Sequence, residues 1–285
     1  MEERRGTQGG PAAIGRRELA VGLLLIGVFW PLDWSLPGAR TAWLFFPLWF
    51  GYILAMDGLV HRRTGSSLLA RDRRWFAALF PLSAAIWWLF ELLNLRGRNW
   101  EYVGLEGFPP WLYFLCSSLS FSTVLPAVLV TAEWIGSFSW LRRFRSRGAG
   151  FRVDRWLPAV FFGGVAMLAL FLLFPGIFFP FLWTSLVCLI DPLNAGRKRP
   201  SLLVAIGRGD WRPIVVFGLA ALFCGFFWEL WNSRSNPRWV YHIPFLDFWH
   251  LFAMPLPGYL GYPPFGWELF GLIHLVWKKT PLRID

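Results

Sequence analysis

Apolar residues arrive along this chain in runs of about twenty, and short polar clusters separate them. A run of that length spans the hydrocarbon core of a bilayer when coiled as a helix. The pattern predicts spans at about 18–36, 41–60, 75–95, 111–138, 156–174, 177–195 and 213–232, with a shortened last one from Pro264 to Trp277. Pro37-Gly38 closes the first, and Pro175-Gly176 alone parts the fifth from the sixth. The expected fold class is therefore all-α integral membrane, with about eight transmembrane helices.

The polar and aromatic punctuation repeats. Phe46-Pro47 and Trp49 match Phe179-Pro180 and Trp183, and Asp57 matches Asp191. Glu91, Asn94, Trp100 and Tyr102 match Glu229, Asn232, Trp239 and Tyr241. Gly107-Phe108-Pro109-Pro110 matches Gly261-Tyr262-Pro263-Pro264 after an insertion of about 15 residues. Two four-helix repeats follow, at 18–138 and 156–277, joined by a basic linker at 139–155 and flanked by a disordered tail at 1–17 and a short tail at 278–285. Each repeat holds an even number of spans, so the repeats are parallel, related by an axis along the membrane normal. The insertion, at about 242–260, is broken by Pro255 and Pro257. Unpaired backbone is costly in hydrocarbon, so this segment is expected to re-enter among the helices or lie in the interface, roofing the last span.

Charge fixes the expected orientation. The chain is 56% hydrophobic and only 16% charged, well below a soluble domain, yet its net charge is +11. Of 28 basic residues, 23 lie in the tails and in the loops 61–74, 139–155 and 196–212. The alternate loops hold only Arg40, Arg96, Arg98, Arg234 and Arg238. That asymmetry is a topology signal and places both termini in the cytoplasm, in a multi-pass protein of the inner (plasma) membrane. The basic loops are expected to meet membrane lipids and not nucleic acid.

Candidate chemistry is confined to a few carboxylates. Glu91 and Glu229 each stand three residues before an asparagine, Asn94 and Asn232, so each pair shares a helix face near the extracytoplasmic end. Ionisable groups inside a membrane are functional candidates. The competing reading pairs each glutamate with a nearby arginine inside a belt of tryptophans. Asp57 and Asp191, near helix ends, read as snorkelling acids or local caps, and Asp33, in Trp30–Trp34, is an acid without a counterpart. Glu268 occurs in the second repeat alone, at the start of the last span and beneath the insertion that carries Asp247 and His250. Trp228, Trp239, Tyr241, Arg238 and Tyr262 are expected to line the same region and to bind substrate with Asn94, Asn232 and His250. Four scattered histidines make no metal set, Cys116, Cys188 and Cys224 read as buried free thiols, and no GxSxG, Walker or GxGxxG motif occurs, so neither metal nor cofactor is expected.

The segment Gly258-Tyr-Leu-Gly-Tyr-Pro-Pro-Phe-Gly-Trp-Glu-Leu-Phe270, after a Trp-x-Tyr, resembles the membrane lycopene-cyclase domain family. The resemblance covers about 30 residues and implies repeated multi-span units, with Glu268 as an acid that protonates a polyene and aromatic faces stabilising the cation. The family's paired acids after the proline are not present here; Glu268 stands alone. The sequence thus points to an enzyme acting on a lipid-soluble substrate (isoprenoid, carotenoid or other lipid) by carboxylic-acid catalysis through Glu268, Glu229 and Glu91. It leaves open a non-catalytic membrane scaffold, a transporter of ions or small solutes, and a homo-oligomer.

Overall fold

The computed structural model describes residues 11–36, 42–146 and 153–284. The first ten residues of the expected tail, Arg40 with its short loop, and much of the expected linker lie outside the described residues. The fold is mostly helical. Its elements are α1 (Pro11–Ser35), α2 (Phe45–Thr64), α3 (Leu68–Arg71), α4 (Arg73–Gly97), β1 (Trp100–Val103), α5 (Pro110–Phe121), α6 (Val124–Gly136), α7 (Leu157–Leu173), α8 (Pro175–Phe178), α9 (Phe181–Gly196), α10 (Leu202–Gly207), α11 (Arg212–Asn232), β2 (Arg238–Tyr241), β3 (His250–Leu251), β4 (Met254–Pro255) and α12 (Tyr262–Val276). Four stretches, Ala13–Ser35, Arg73–Gly97, Pro110–Gly136 and Arg212–Asn232, are long and apolar enough to cross a membrane, and Leu157–Leu173 and Phe181–Gly196 are shorter apolar helices. This is the architecture of a helical membrane protein.

Three local departures from the expected pattern have physical causes. α1 begins at Pro11, so residues 11–17 are its first two turns and not a tail; proline is tolerated at a helix start because the missing N–H needs no partner there. The expected span at 111–138 is present as the one crossing-length stretch Pro110–Gly136, but it is interrupted at Ser122–Thr123 into α5 and α6. At the joint, the hydroxyls of Ser122 and Thr123 donate back to the carbonyls of Leu119 and Ser120, and Pro126 supplies no N–H to carry the ladder across. The third departure is β structure in a chain expected to be all-α. β1 and β2 form an antiparallel ribbon, and β3 and β4 form a small hairpin inside the insertion.

α1 lies along α2, α7 along α9, α4 beside α5 and α6, and α11 beside α6 and α12. Small residues allow the closest approach: a Cβ on Gly22 of α1 would sit 2.4 Å from the Ala55 backbone nitrogen of α2. The buried core runs through α2, α4, α6, α9, α11 and α12. α1 and α7 turn apolar side chains outward instead, with Leu24 65% and Phe162 68% exposed.

The basic segments meet at one end of the bundle. Arg71 pairs with buried Glu133 and donates to Pro281 O, Arg199 donates to the His274 carbonyl, and the backbone at Arg145 pairs with that at Asp210 in an isolated antiparallel β-bridge. Each short helix at this end is held by a buried aspartate from a longer one. Asp57 accepts from Leu69 N at 3.2 Å, where Ser67 caps α3. Asp191 accepts from Ser201 Oγ, Leu202 N and Leu203 N at 2.7, 2.6 and 2.9 Å, where Ser201 caps α10. The capping reading of these two acids is therefore the right one. On the same side, Arg212 grips Asp210 with two charge-assisted bonds of 2.8 Å and holds its carboxyl below the usual carboxylate range.

Candidate functional site

At the other end, the chain leaving α4 and the chain leaving α11 fold back and pair with each other. Asn94, in the last turn of α4, accepts from Asn99 N at 2.8 Å and donates to Trp100 O at 2.8 Å. Asn232, the last residue of α11, accepts from Trp239 N at 2.9 Å and donates to Trp239 O at 2.8 Å. Each asparagine thus fastens the returning strand to the helix it left, satisfying backbone groups that a helix end otherwise leaves open. The two strands then pair with Trp100 opposite Tyr241 and Tyr102 opposite Trp239. Side chains alternate along a strand and cross-strand partners share a face, so all four aromatics project to one side.

They roof a cavity of about 480 Å³. Its walls are mainly aromatic and apolar, drawn from α1, α2, α4, α5, α9, α11, α12 and the insertion. Phe265 of α12 is ringed by Trp87, Phe90, Trp183 and Trp228, at centroid distances of 5.8, 5.6, 6.1 and 6.2 Å. Residues 243–261 close one flank, with Ile243, Leu246 and Met254 on the cavity and Phe245 and Trp249 turned out to 82% and 77% exposure.

Both matched glutamates stand behind the aromatic wall and reach the cavity through hydrogen-bond donors that line it. One Glu91 oxygen accepts from Trp87 Nε1 at 3.0 Å, Trp100 Nε1 at 3.1 Å and Tyr102 OH at 2.7 Å. One Glu229 oxygen accepts from Tyr241 OH at 2.6 Å and Tyr262 OH at 2.7 Å, and Trp239 Nε1 donates to Tyr241 OH at 2.8 Å. Burial, reinforced by the adjoining carboxylates, pushes the Tyr102 and Tyr241 hydroxyls well above their ordinary range, so both remain donors. The competing arginine pairing is not formed. Arg96 donates to Leu172 and Leu173 carbonyls, Arg234 lies over the Trp34 ring, and Arg238 donates to Ser233 O.

The two clusters differ in two respects: Trp100 donates to Glu91 directly while Trp239 donates to Tyr241, and the donor one turn back along the helix changes. Four residues before Glu91 stands its donor Trp87, whereas four residues before Glu229 stands Gly225. A Cβ on Gly225 would lie 2.5 Å from the Tyr262 ring, so the missing side chain makes the space through which Tyr262 reaches Glu229. Glu229 thus takes one of its two donors from α12, where Glu91 takes one of its three from its own helix.

Of the residues singled out in the sequence, Trp228, Asn232, Arg238, Trp239, Tyr241 and Tyr262 line the cavity. Glu91, Asn94 and Glu229 support its wall. Glu268 does neither: it is fully buried in α12, both oxygens lack a hydrogen-bond partner, and it is not part of the lining. His250 lies on the outer surface, bonded to Asp247 at 2.8 Å. Asp33 is more involved than its lack of a counterpart suggested, because it lines the cavity and accepts from Ser235 Oγ. Asn99 and Thr184 also line it, and Asn99 Nδ2 and Thr184 Oγ1 are buried with no partner. Neither has a sequence signal, since each sits among residues that pack ordinarily. No group of three or more His, Cys, Asp or Glu side chains among the described residues could hold a metal ion. No protein-family model matches the chain, and no curated protein or solved structure matches it significantly.

Proposed function

We propose that this membrane protein takes a lipid-soluble molecule into the aromatic cavity and acts on it by proton transfer through its tyrosine–carboxylate pairs. The observation that carries the reading is the layering of the wall: an apolar chamber of about 480 Å³ lined by Tyr102, Tyr241 and Tyr262, whose hydroxyls donate to Glu91 and Glu229 behind them. A proton leaving the substrate passes to a tyrosine oxygen while the tyrosine's own proton passes to the carboxylate, and the reverse sequence delivers one. The unpartnered Asn99 Nδ2 and Thr184 Oγ1 suit a molecule with a long apolar body and one polar group, as in isoprenoids, carotenoids bearing oxygen, and other lipids. Glu268, the acid implied by the cyclase resemblance, has no part in this scheme.

The accompanying topology is eight crossings in two parallel repeats, with the basic end and both termini in the cytoplasm and the ribbon on the far side of the plasma membrane. The one-sided distribution of basic residues and the matched Glu–Asn and Asp–Ser clusters support it.

The test is replacement of Glu229 by Gln and, separately, of Tyr262 by Phe in producing cells, followed by mass spectrometry of total lipid extracts. Accumulation of one apolar species in both variants is expected. Unchanged profiles at normal protein levels would favour a second reading, a non-catalytic scaffold. One observation speaks for that alternative: the side-chain hydrogen bonds of Asn94 and Asn232 hold the ribbon in place.

A further inference from the structure

A second apolar recess lies on the outside of the bundle, away from the ribbon cavity. Leu219, Leu222, Phe223 and Phe226 of α11 recur at helical spacing and form one wall. Trp134 and Ile135 of α6, with Phe138 and Trp140 beyond it, form the other. The groove is shallow and open, with a volume of about 480 Å³, and Leu219, Phe223 and Phe226 stay 37–41% exposed. A lone exposed leucine asks for no explanation, but a continuous trough between two helices does.

Charge beside this trough identifies its occupant. The Arg63 guanidinium lies 4.0 Å from the centroid of the Phe138 ring and donates to Ser137 O. The Arg143 guanidinium lies 5.2 Å from the Trp140 ring. Both rings line the groove, both arginines are exposed, and no described carboxylate forms an ion pair with either. Each of the two cations therefore lies near an aromatic ring of the groove wall. A ligand complementary to this arrangement has a negative head and a long apolar tail.

We propose that this groove binds an anionic phospholipid, with an acyl chain along Leu219–Phe226 and the phosphate between Arg63 and Arg143. The site is separate from the ribbon cavity and does not depend on the function proposed for it. Occupancy would brace α11 against α6 from outside the bundle.

The experiment uses the full chain in nanodiscs of phosphatidylcholine doped with phosphatidylglycerol, with retained lipid measured by native mass spectrometry. Preferential retention of phosphatidylglycerol is expected, with a loss of about fivefold for each of Arg63→Gln and Arg143→Gln, the worth of one basic residue at an anionic surface. Arg63→Lys should keep most of the retention. The control pair Lys198→Gln and Arg208→Gln, elsewhere on the basic end, should leave it unchanged. Leu222→Trp, which fills the trough and keeps both arginines, should lose it. Equal losses from the control pair would reduce the effect to diffuse attraction, and retention intact in Leu222→Trp would remove the groove from it; either result overturns the proposal. Thermal unfolding of each variant separates loss of lipid from loss of fold.

Discussion

Trp100 faces Tyr241 across an antiparallel ribbon, and the exchange is mutual, because Tyr102 faces Trp239 about the central Glu101–Val240 pair. Two Trp-x-Tyr triplets far apart in the chain thereby close one chamber from the same side. Antiparallel pairing of like segments is the arrangement expected where two copies of a unit meet at a twofold axis, which supports the proposed parallel repeat. It also makes the two asparagines that hold the strands directly comparable.

Replacing Asn232 with Ala removes two hydrogen bonds to backbone groups of Trp239 and leaves those groups unpaired. The expected cost is about 1–3 kcal/mol, read as a fall in melting temperature of the detergent-solubilised protein. Asn94→Ala should cost a similar amount, and the double variant should fall short of the sum, because both substitutions free the same ribbon. Full additivity would mean that the strands are held independently of each other.

Gly225→Ala should reproduce the effects of Tyr262→Phe. The new Cβ would overlap the Tyr262 ring and drive its hydroxyl away from Glu229, with an overpacking cost of about 1–3 kcal/mol. Combining the two substitutions should add little to either alone, as measured by stability and by the lipid profile. If Gly225→Ala leaves both unchanged, Tyr262 reaches Glu229 by another route.

The two capping aspartates should differ in weight. Asp191 accepts two backbone N–H bonds and a serine hydroxyl, against one backbone bond for Asp57. Asp191→Ala should therefore lower stability by about 1–2 kcal/mol, towards the upper end of a lost helix cap. Asp57→Ala should cost less. Limited proteolysis of the 196–212 segment offers a local readout, with faster cleavage expected in Asp191→Ala alone.

Arg71 and Glu133 form a nearly buried pair that also receives Arg283 N and anchors Pro281. Arg71→Met strands a carboxylate inside the bundle and should destabilise the protein by about 3–5 kcal/mol. The double replacement Arg71→Met with Glu133→Leu should recover most of that loss. Chemical denaturation of the three variants in one detergent checks both statements.

Much of this protein can be read from local sequence. Apolar run length locates α2, α4, α7, α9 and α11 to within a few residues, because a helix in lipid must satisfy its own backbone and so must be long and apolar. The aspartate caps are legible for a similar reason, since Asp57 and Asp191 act on short helices only a dozen residues ahead of them. Glu91 and Glu229 also stand out, because a charged residue in an apolar run costs too much to be incidental.

What local pattern could not supply is pairing across the chain. The β1–β2 ribbon joins segments that carry no more strand signal than any short aromatic loop, and it exists only because two helix ends converge. Asp33 acquires its importance from Ser235, and Tyr262 from the space left by Gly225; neither relationship has a sequence spacing. Glu268 shows the converse. The sequence marked it as an acid beneath a cap, but the rotation of α12 buries it away from the chamber and aims Phe265 inward. Sequence alone determined which segments are helical and which polar groups are costly to bury, because both depend on the solvent each segment meets. The tertiary structure decided which of those groups share a wall, because that depends on how helices rotate and pack against one another.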